Sequence, residues 1–206
     1  MPRPKIKAII FDLGGVILNI DYNLARNAFE KLGVRNFDEL YSQTGADMLF
    51  RELETGKISN ENFYNELNKC TGLQLSPFEI EQAWNAMLLG FREESLLFLD
   101  AIRSKYKLFL LSNTNYIHIE EFNKIYNQKV REKPFIDYFE KVYYSCEIGL
   151  RKPDAECYDW VLQKENLVPG KTIFVDDTLQ NVEAAKVAGM KTILLEPGRS
   201  IENLDL

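Results

Sequence analysis

The sequence of 206 residues has little cysteine and no concentration of positive charge, and each scarcity excludes a class of protein. Its three cysteines have no CxxC spacing, so we expect reduced thiols without a disulfide framework, which suits a reducing cytoplasm. Lys and Arg number 25 against 31 Asp and Glu, which gives a formal net charge of −6 with no basic stripe. We therefore expect neither nucleic acid nor an anionic membrane as a partner.

Long hydrophobic runs and low-complexity linkers are also missing. No apolar run approaches the roughly 20 residues that cross a bilayer, and the start MPRPKIKAII holds no apolar core typical of a signal peptide. We expect a cytoplasmic protein. Hydrophobic residues make up 46% of the chain, enough for one or two globular domains, and any second domain must be inserted through short connections. Because no apolar stripe is left over once a core is filled, we expect a monomer.

Five short apolar runs, each followed by polar or glycine-containing residues, predict strands. These runs are KAIIF, KLFLLS, KVYYS, TIFVD and KTILLE. The later runs alternate with helical stretches such as DAECYDWVLQKEN and LQNVEAAKVAGM. This alternation predicts parallel strands joined by right-handed crossovers, and the fold class is therefore α/β with a doubly wound parallel sheet.

One interval lacks the strand and helix alternation. From about Asp21 to Ala101 the apolar residues recur at helical spacing, and no strand is predicted there. We predict a helical bundle over residues 19–95, inserted after the first strand into a Rossmann-like core of residues 1–18 and 96–206. Such an insert would lie over the carboxyl edge of the sheet as a lid and a substrate filter. Its predicted helical stretches are LARNAFEKLG, NFDELYSQTGADMLFREL, SNENFYNELNKCTG and SPFEIEQAWNAMLL.

Several side chains carry structural predictions. Trp84 is expected in the core of the insert, together with Phe78 and Leu88 at helical spacing. His118, the sole histidine, is expected at the surface or as a helix cap, with proton transfer as the alternative. The charged segment RELETGKIS is expected to be a solvated loop, with substrate contact through Glu52, Glu54 or Lys57 as the alternative.

Polar residues with chemical potential follow the ends of several predicted strands or precede a helix. They are Asp12 in IIFDLGGVIL, Ser112 and Asn113 in LFLLSNTN, Lys152 in GLRKPD, and Asp176 and Asp177 in TIFVDDTLQN. Taken alone, Asp12 is explained equally well as a turn residue or helix cap, whereas a turn or cap role is favoured for Ser112 and Asn113 and a solvated side chain for Lys152. Because the strands of a doubly wound sheet end at one edge, their joint occurrence there indicates a site.

The residue types of this predicted site suit an anionic ligand and a cation. Asp176 and Asp177 are adjacent carboxylates that repel one another, and a divalent hard cation is one physical reason to keep them together. A helix cap is the alternative. The hydroxyl of Ser112 and the amide of Asn113 are able to bind an anionic oxygen together with nearby backbone N–H groups.

The motifs FDLGGV, LLSNTN, RKPD and FVDDTLQN, in this order and across nearly the whole chain, resemble those of the haloacid dehalogenase-like (HAD) hydrolases. The helical insert is similar to the cap domain that the family places after its first motif. Within the family, the pattern looks closest to the phosphatase subgroup that includes bacterial α-D-glucose-1-phosphate phosphatase. The resemblance is specific for the superfamily and less specific for the subgroup.

This resemblance implies a Mg²⁺-dependent phosphatase acting on a small phosphorylated metabolite such as a sugar phosphate. Asp12 is the implied nucleophile, which forms an aspartyl-phosphate that water hydrolyses. Ser112 and Asn113 are implied to hold phosphate oxygens, and Lys152 to bind substrate and neutralise charge on the nucleophile and the transferring group. The implied metal ligands are Asp12, the backbone carbonyl of Gly14, Asp176 and Asp177, of which Asp177 aligns with the metal-binding Asp of the family.

The sequence departs from the family pattern at Gly14, where the phosphatases usually carry a second Asp as general acid and base. Asp21 is an alternative proton donor, although a turn or cap ahead of a helix is the favoured interpretation. The missing acid leaves two other functions open. One is a 2-haloacid dehalogenase, which needs no acid there. The other is a catalytically weak regulatory protein that binds a phosphorylated metabolite.

Overall fold

The computed structural model describes residues 5–35, 37, 48–129, 131–204 and 206. The prediction for NFDELYSQTGADMLFREL lies largely outside these residues. The strands are β1 (Ala8–Phe11), β2 (Leu18–Ile20), β3 (Leu88–Phe91), β4 (Lys107–Ser112), β5 (Lys141–Tyr144), β6 (Thr172–Asp176) and β7 (Lys191–Leu194). The helices are α1 (Tyr22–Lys31), α2 (Met48–Glu54), α3 (Asn60–Thr71), α4 (Pro77–Asn85), α5 (Glu93–Ile102), α6 (Tyr116–Asn127), α7 (Ser145–Ile148), α8 (Ala155–Lys164) and α9 (Leu179–Val187). No helix within the described ranges is both long and apolar enough to cross a membrane.

The central sheet has the strand order β5-β4-β1-β6-β7, and every neighbouring pair is parallel. Strand β1 lies in the middle, with Ile9 opposite Leu108 of β4 on one side and Ile173 of β6 on the other. The five predicted strands and the α/β class are therefore confirmed. Because the strands are parallel, β4, β1 and β6 end side by side at one edge.

Both faces of the sheet are covered, which explains why β1 reads as an uninterrupted apolar run. All four residues of β1 are buried, and successive side chains point to opposite faces. Ile9 and Phe11 contribute to one core cluster, whereas Ala8 and Ile10 contribute to the cluster on the other face. The sheet is thus held rigid from both sides, which fixes the positions of the residues at its carboxyl edge.

A two-stranded antiparallel ribbon of β2 and β3 connects the sheet to the helical insert. Leu18 pairs with Phe91 and Ile20 with Leu88, with an irregular register between them. The expectation that residues 21–101 contain no strand is wrong at this point. Strand β3 is only four residues long and pairs with a partner about 70 positions earlier, so local periodicity could not reveal it. The extent of the insert, residues 19–95, stays a prediction.

The insert is a set of helices packed on buried aromatic rings. Phe29, Phe50, Phe63 and Trp84 are all almost completely buried, and the ring centroids of Phe50 and Trp84 lie 4.9 Å apart. The placement of Trp84 in this core is confirmed. The companion prediction for Phe78 is wrong, because its side chain is 69% exposed at the start of α4.

Helix capping agrees closely with the sequence. Asp21 caps α1 by accepting a hydrogen bond from the backbone N–H of Asn23, as the favoured interpretation predicts. Ser59 caps α3, and Ser76 forms a reciprocal capping box with Glu79 at the start of α4. These local contacts fix where the chain turns into each helix of the insert.

His118 lies in the first turn of α6, where that helix packs against the insert. The expected surface position is wrong: the imidazole is buried, stacks on Trp84 with centroids 4.8 Å apart, and places Nδ1 2.8 Å from Asn85 Oδ1. Burial lowers the pKa of His118 to about 3, so the ring stays neutral. His118 therefore joins the sheet domain to the insert as an uncharged packing group.

The buried His118 predicts an acid-sensitive fold. The unfolded chain protonates this imidazole below a pKa of about 6.5, whereas the folded chain does so only near about 3. Stability is therefore lost as pH falls, and this group contributes a loss of about 2 kcal/mol between pH 7 and pH 5. The measurement is urea unfolding of the protein and of His118→Gln at both pH values. The difference in free energy of unfolding between the unchanged protein and His118→Gln should shrink on acidification, because only the unchanged protein carries the imidazole. Contributions from the carboxyl groups are common to both proteins and cancel. A constant difference would contradict the prediction.

Candidate active site

Three strand ends bring polar side chains together at the carboxyl edge of the sheet. Asp12 follows β1 directly, and its backbone N–H donates to the carbonyl of Val175 on β6 with a distance of 2.9 Å. Ser112 ends β4 and Asp176 ends β6, and all three side chains are buried. The parallel register therefore places a hydroxyl and two carboxylates side by side without any contribution from long loops.

Lys152 is the central group of this cluster. Its side chain is only 1% exposed, and Nζ lies 2.7 Å from Asp12 Oδ1 and 2.7 Å from Asp176 Oδ2. Burial by itself lowers the pKa of Lys152, but the two carboxylates outweigh it and raise the pKa above the usual range. The alternative of a solvated lysine is wrong, and a permanent positive charge lies between the ends of β1 and β6.

Asn113 holds the backbone that carries Lys152. Its Oδ1 accepts from the Lys152 N–H at 2.9 Å, and its Nδ2 donates to the Lys152 carbonyl at 2.8 Å. The backbone of the adjoining Thr114 is fixed in the same way. Its N–H donates to the hydroxyl oxygen of Ser145, and that hydroxyl donates to its carbonyl. The side-chain amide of Asn113 has two N–H hydrogens, and the contact with Lys152 uses one of them. Asn113 thus positions Lys152 whether or not it also contacts a substrate.

The adjacent carboxylates Asp176 and Asp177 have different surroundings. Asp176 is fully buried, and in addition to Lys152 it accepts hydrogen bonds from the Thr178 backbone N–H at 2.8 Å and from Asn181 Nδ2 at 3.0 Å. Asp177 is exposed and lines the cavity above the sheet edge. Although part of this side chain faces solvent, the loss of water on its protein side and the charge of the neighbouring Asp176 raise the pKa of Asp177. The environment therefore favours Asp177 as the ligand that faces a bound cation and Asp176 as the group that holds Lys152.

The two glycines after Asp12 meet different constraints. Gly15 has a φ of +70°, and a Cβ there would lie 1.9 Å from Asp177 Oδ2, so the carboxylate occupies the space of the missing side chain. Gly14 is not in the left-handed region, and a Cβ there would meet the side chain of Ile20, with Cδ1 nearest at 3.1 Å. Gly15 is required by the backbone and by Asp177, whereas Gly14 leaves room for a side chain.

The donor set at the sheet edge fits a divalent cation. Asp12, Asp176 and Asp177 each offer a carboxylate oxygen, and these oxygens lie within 4.8 Å of one another. Burial raises the pKa of Asp12 to about 7 against the attraction of Lys152, and the repulsion by Asp176 adds to the increase. Three carboxylates share one ammonium, so a hard cation with oxygen ligands would balance the excess negative charge.

The cluster forms the floor of a cavity of about 370 Å³ between the sheet edge and the insert. The insert contributes Tyr22, Arg51 and Glu54 to its lining. Three charged residues of RELETGKIS are the alternatives for substrate contact. Glu54 is buried against the cavity, whereas Glu52 and Lys57 do not line it. The solvated interpretation is therefore wrong for Glu54. The sequence does carry a signal for this shared position, because Arg51 and Glu54 are three positions apart and therefore lie on one face of α2.

Two ion pairs join the insert to the segment that carries Lys152. Arg51 contacts Asp154 with a distance of 2.5 Å, and Glu54 contacts Arg151 with a distance of 3.0 Å. All four side chains line the cavity. No local pattern in the sequence indicates these roles of Arg51, Arg151 and Asp154, because their partners are about 100 positions away in the chain.

Comparison with known proteins agrees with this geometry. A family model described as haloacid dehalogenase-like hydrolase matches residues 6–189. The chain is 37% identical over 205 residues to D-ribitol-5-phosphate phosphatase of Bacteroides thetaiotaomicron, covering 94% of this chain and 93% of that protein. It is 27% identical over 202 residues to the phosphorylated carbohydrates phosphatase of Thermotoga maritima, covering 91% and 84% of the two chains.

Solved structures show the same fold. A HAD family enzyme from B. thetaiotaomicron, crystallised with magnesium and inorganic phosphate, superposes with a TM-score of 0.87 at 32% identity, covering 98% of this chain and 100% of that chain. The L-2-haloacid dehalogenase from Xanthobacter autotrophicus superposes with a TM-score of 0.59 at 18% identity, covering 92% and 77%, which shows only the fold. The finer resemblance to glucose-1-phosphate phosphatase stays a prediction. With four motifs gathered at one sheet edge and a family model that spans most of its length, this chain belongs to the haloacid dehalogenase-like hydrolase family.

Proposed function

We propose that the protein is a Mg²⁺-dependent phosphatase that hydrolyses phosphorylated carbohydrates through an aspartyl-phosphate on Asp12. The observation that carries this proposal is the Lys152 ammonium, held 2.7 Å from both Asp12 and Asp176 at the floor of the cavity. The phosphatases from B. thetaiotaomicron and T. maritima support the substrate class. The magnesium and phosphate in the related HAD crystal structure support the cofactor.

In the first chemical step, a carboxylate oxygen of Asp12 attacks the phosphorus atom and the bond to the sugar oxygen breaks. The sugar oxygen keeps the bonding electron pair and takes its proton from solvent water, since Gly14 offers no acid. Lys152 offsets negative charge on Asp12 and on the transferring phosphoryl group, and Asn113 keeps Lys152 in place through its backbone. The Ser112 hydroxyl lines the same cavity and binds a phosphate oxygen. Water then attacks the aspartyl-phosphate, which releases phosphate and restores the carboxylate.

Asp12, Asp177 and the Gly14 carbonyl are the proposed direct ligands of Mg²⁺. Asp176 is proposed to support the site through Lys152 without binding the cation directly, because Lys152, Thr178 and Asn181 already contact its oxygens. When bound, the cation supplies positive charge that offsets repulsion between the substrate phosphate and the carboxylates.

The shape and polarity of the cavity favour a hydroxylated substrate over an apolar one. The cavity above the sheet edge, of about 370 Å³, lies in the range of small-molecule sites and carries charged groups from both the insert and the sheet domain. A cavity next to it, whose apolar lining residues include Trp84, Met87 and Phe122, is only about 60 Å³. A long hydrocarbon chain would therefore contact charged walls, which is costly.

The nucleophile is tested by Asp12→Asn, which keeps the shape of the side chain and removes its charge. Phosphate release from p-nitrophenyl phosphate should fall by about 1,000-fold or more, because no carboxylate remains to form the covalent intermediate. Asp159→Asn, an exposed change on α8, is the matched control. Acid-quenched turnover by the unchanged protein should leave an acyl phosphate that hydroxylamine cleaves.

Appreciable phosphate release by folded Asp12→Asn would remove the covalent mechanism. Release of halide from a 2-haloacid that persists with EDTA present would instead support the dehalogenase function. Circular dichroism on each variant establishes that a loss of activity is not a loss of fold.

The metal ligand is tested by Gly15→Ala. A Cβ at this position would lie 1.9 Å from Asp177 Oδ2 and the backbone has a positive φ, so the carboxylate must move. The Mg²⁺ concentration for half-maximal activity should rise by about tenfold or more, because changing a residue that positions a metal ligand typically costs about 10- to 100-fold in affinity. Gly170→Ala, in open surroundings, is the control. An unchanged Mg²⁺ requirement would argue against Asp177 as a ligand.

The missing acid is tested by Gly14→Asp against Gly14→Asn, which has nearly the same size without an acid. A Cβ at this position meets the flexible side chain of Ile20, with Cδ1 at 3.1 Å, so a small shift of Ile20 admits it in both variants. General acid catalysis is worth about 100- to 10,000-fold for a poor leaving group. We expect Gly14→Asp to raise turnover of glucose 6-phosphate relative to glucose 1-phosphate, measured by phosphate release, while Gly14→Asn does not. Equal effects on both substrates would mean that another group already protonates the leaving oxygen.

A further inference from the structure

We propose that Arg51 and Asp154 bind the end of the substrate remote from the phosphate, so that the enzyme selects polyhydroxylated phosphates by chain length. The inference rests on the proposed function and adds the residues that choose among its substrates. It assigns the substrate class as phosphate monoesters of hydroxylated chains or rings long enough to reach this pair, in preference to shorter polyol phosphates and to apolar phosphates.

The charged groups of the cavity are ordered by depth. Asp12 and Lys152 are buried at the floor, where the phosphate is expected. The side chains of Glu54 and Arg151 are 12% and 18% exposed, which places them on the wall. Arg51 and Asp154 are 46% and 40% exposed and form the rim. A substrate anchored by its phosphate would meet the wall pair first and would reach the rim pair only if its chain is long enough.

The ordering follows from how two segments face one another. On α2, Arg51 and Glu54 are separated by three residues and lie on the same face. On the segment that carries Lys152, Arg151 and Asp154 have the same spacing. At the rim, the positive charge of Arg51 on the insert faces the negative charge of Asp154. At the wall the signs are reversed, because Glu54 on the insert faces Arg151.

The rim pair is a poor candidate for a purely structural clamp. An ion pair that is nearly half exposed contributes only about 0–1 kcal/mol to stability. The insert is also seated by closer contacts, since Gly56 packs on the Cys146 carbonyl, where a Cβ would come within 2.2 Å. The mostly buried contact of Glu54 with Arg151 adds to this seating. A recognition role explains why a guanidinium and a carboxylate line the mouth of the cavity.

Guanidinium and carboxylate together match the chemistry of a hydroxyl chain. The guanidinium offers five N–H donors and the carboxylate two acceptor oxygens, and their mutual contact joins one nitrogen of Arg51 to one oxygen of Asp154. A hydroxyl group donates and accepts, so one or two hydroxyls can bridge this pair. A methyl or methylene group at the same position would desolvate both charges without replacing their hydrogen bonds.

The experiment compares ribitol 5-phosphate with glycerol 3-phosphate, which share a primary phosphate and differ in chain length, and adds hexyl phosphate as an apolar ester. We expect Arg51→Met and Asp154→Asn to lower the ratio of kcat/KM for ribitol 5-phosphate over glycerol 3-phosphate by about 10- to 100-fold, as for loss of a charged hydrogen bond. The unchanged protein should prefer ribitol 5-phosphate to hexyl phosphate. Glu52→Gln and Lys57→Met, in the same segment but outside the cavity lining, should leave the ratio unchanged.

Each contrary result has a distinct meaning. An equal loss on both polyol phosphates would show that the rim pair only holds the insert closed, and an unchanged ratio would show that it does not contact substrate; either overturns the inference. Hydrolysis of hexyl phosphate as efficient as that of ribitol 5-phosphate overturns it as well. Failure of the unchanged protein to release phosphate from any ester, including p-nitrophenyl phosphate, overturns the proposed function itself.

Discussion

The organisation of this molecule depends on one buried ammonium. Lys152 is almost inaccessible to water, and an isolated charge in such a position would be strongly destabilising. It is stable because Asp12 at the end of β1 and Asp176 at the end of β6 each lie 2.7 Å from its nitrogen, while Asn113 after β4 holds its backbone. Three neighbouring strand ends thus converge on one residue, and a rigid sheet is needed to keep them there.

The same arrangement explains why the site is poised for chemistry. Lys152 compensates only part of the negative charge of Asp12, Asp176 and Asp177, and burial raises the pKa of Asp12 to about 7. The remaining charge imbalance favours a divalent cation, and Gly15 provides the space in which the Asp177 carboxylate lies. Fixed charges of this kind stabilise a transferring phosphoryl group without reorganisation during the reaction, which is how such sites accelerate reactions.

The insert contacts the sheet domain at two places. Helix α2 faces the segment of Lys152 through the two ion pairs, and α4 packs Trp84 on His118 of α6. One contact is polar and borders the cavity, whereas the other is a buried ring stack that provides no charge, because burial keeps His118 neutral. The division of roles is physical: the apolar contact fixes the position of the insert, and the polar contact presents groups to a ligand.

The sequence by itself determined the α/β class, the five parallel strands, the cap at Asp21 and the residues that follow the strand ends, because hydrophobic periodicity and turn chemistry are local properties. The positions of Asp12 and Ser112 follow from these strand ends once the strands are parallel. Only the tertiary structure decided the rest. The pairing of β3 with β2, the burial of His118, the hold of Asn113 on Lys152 and the contact of Arg51 with Asp154 join residues far apart in the chain. No local pattern encodes these contacts, because each one exists only when packing brings its two segments together.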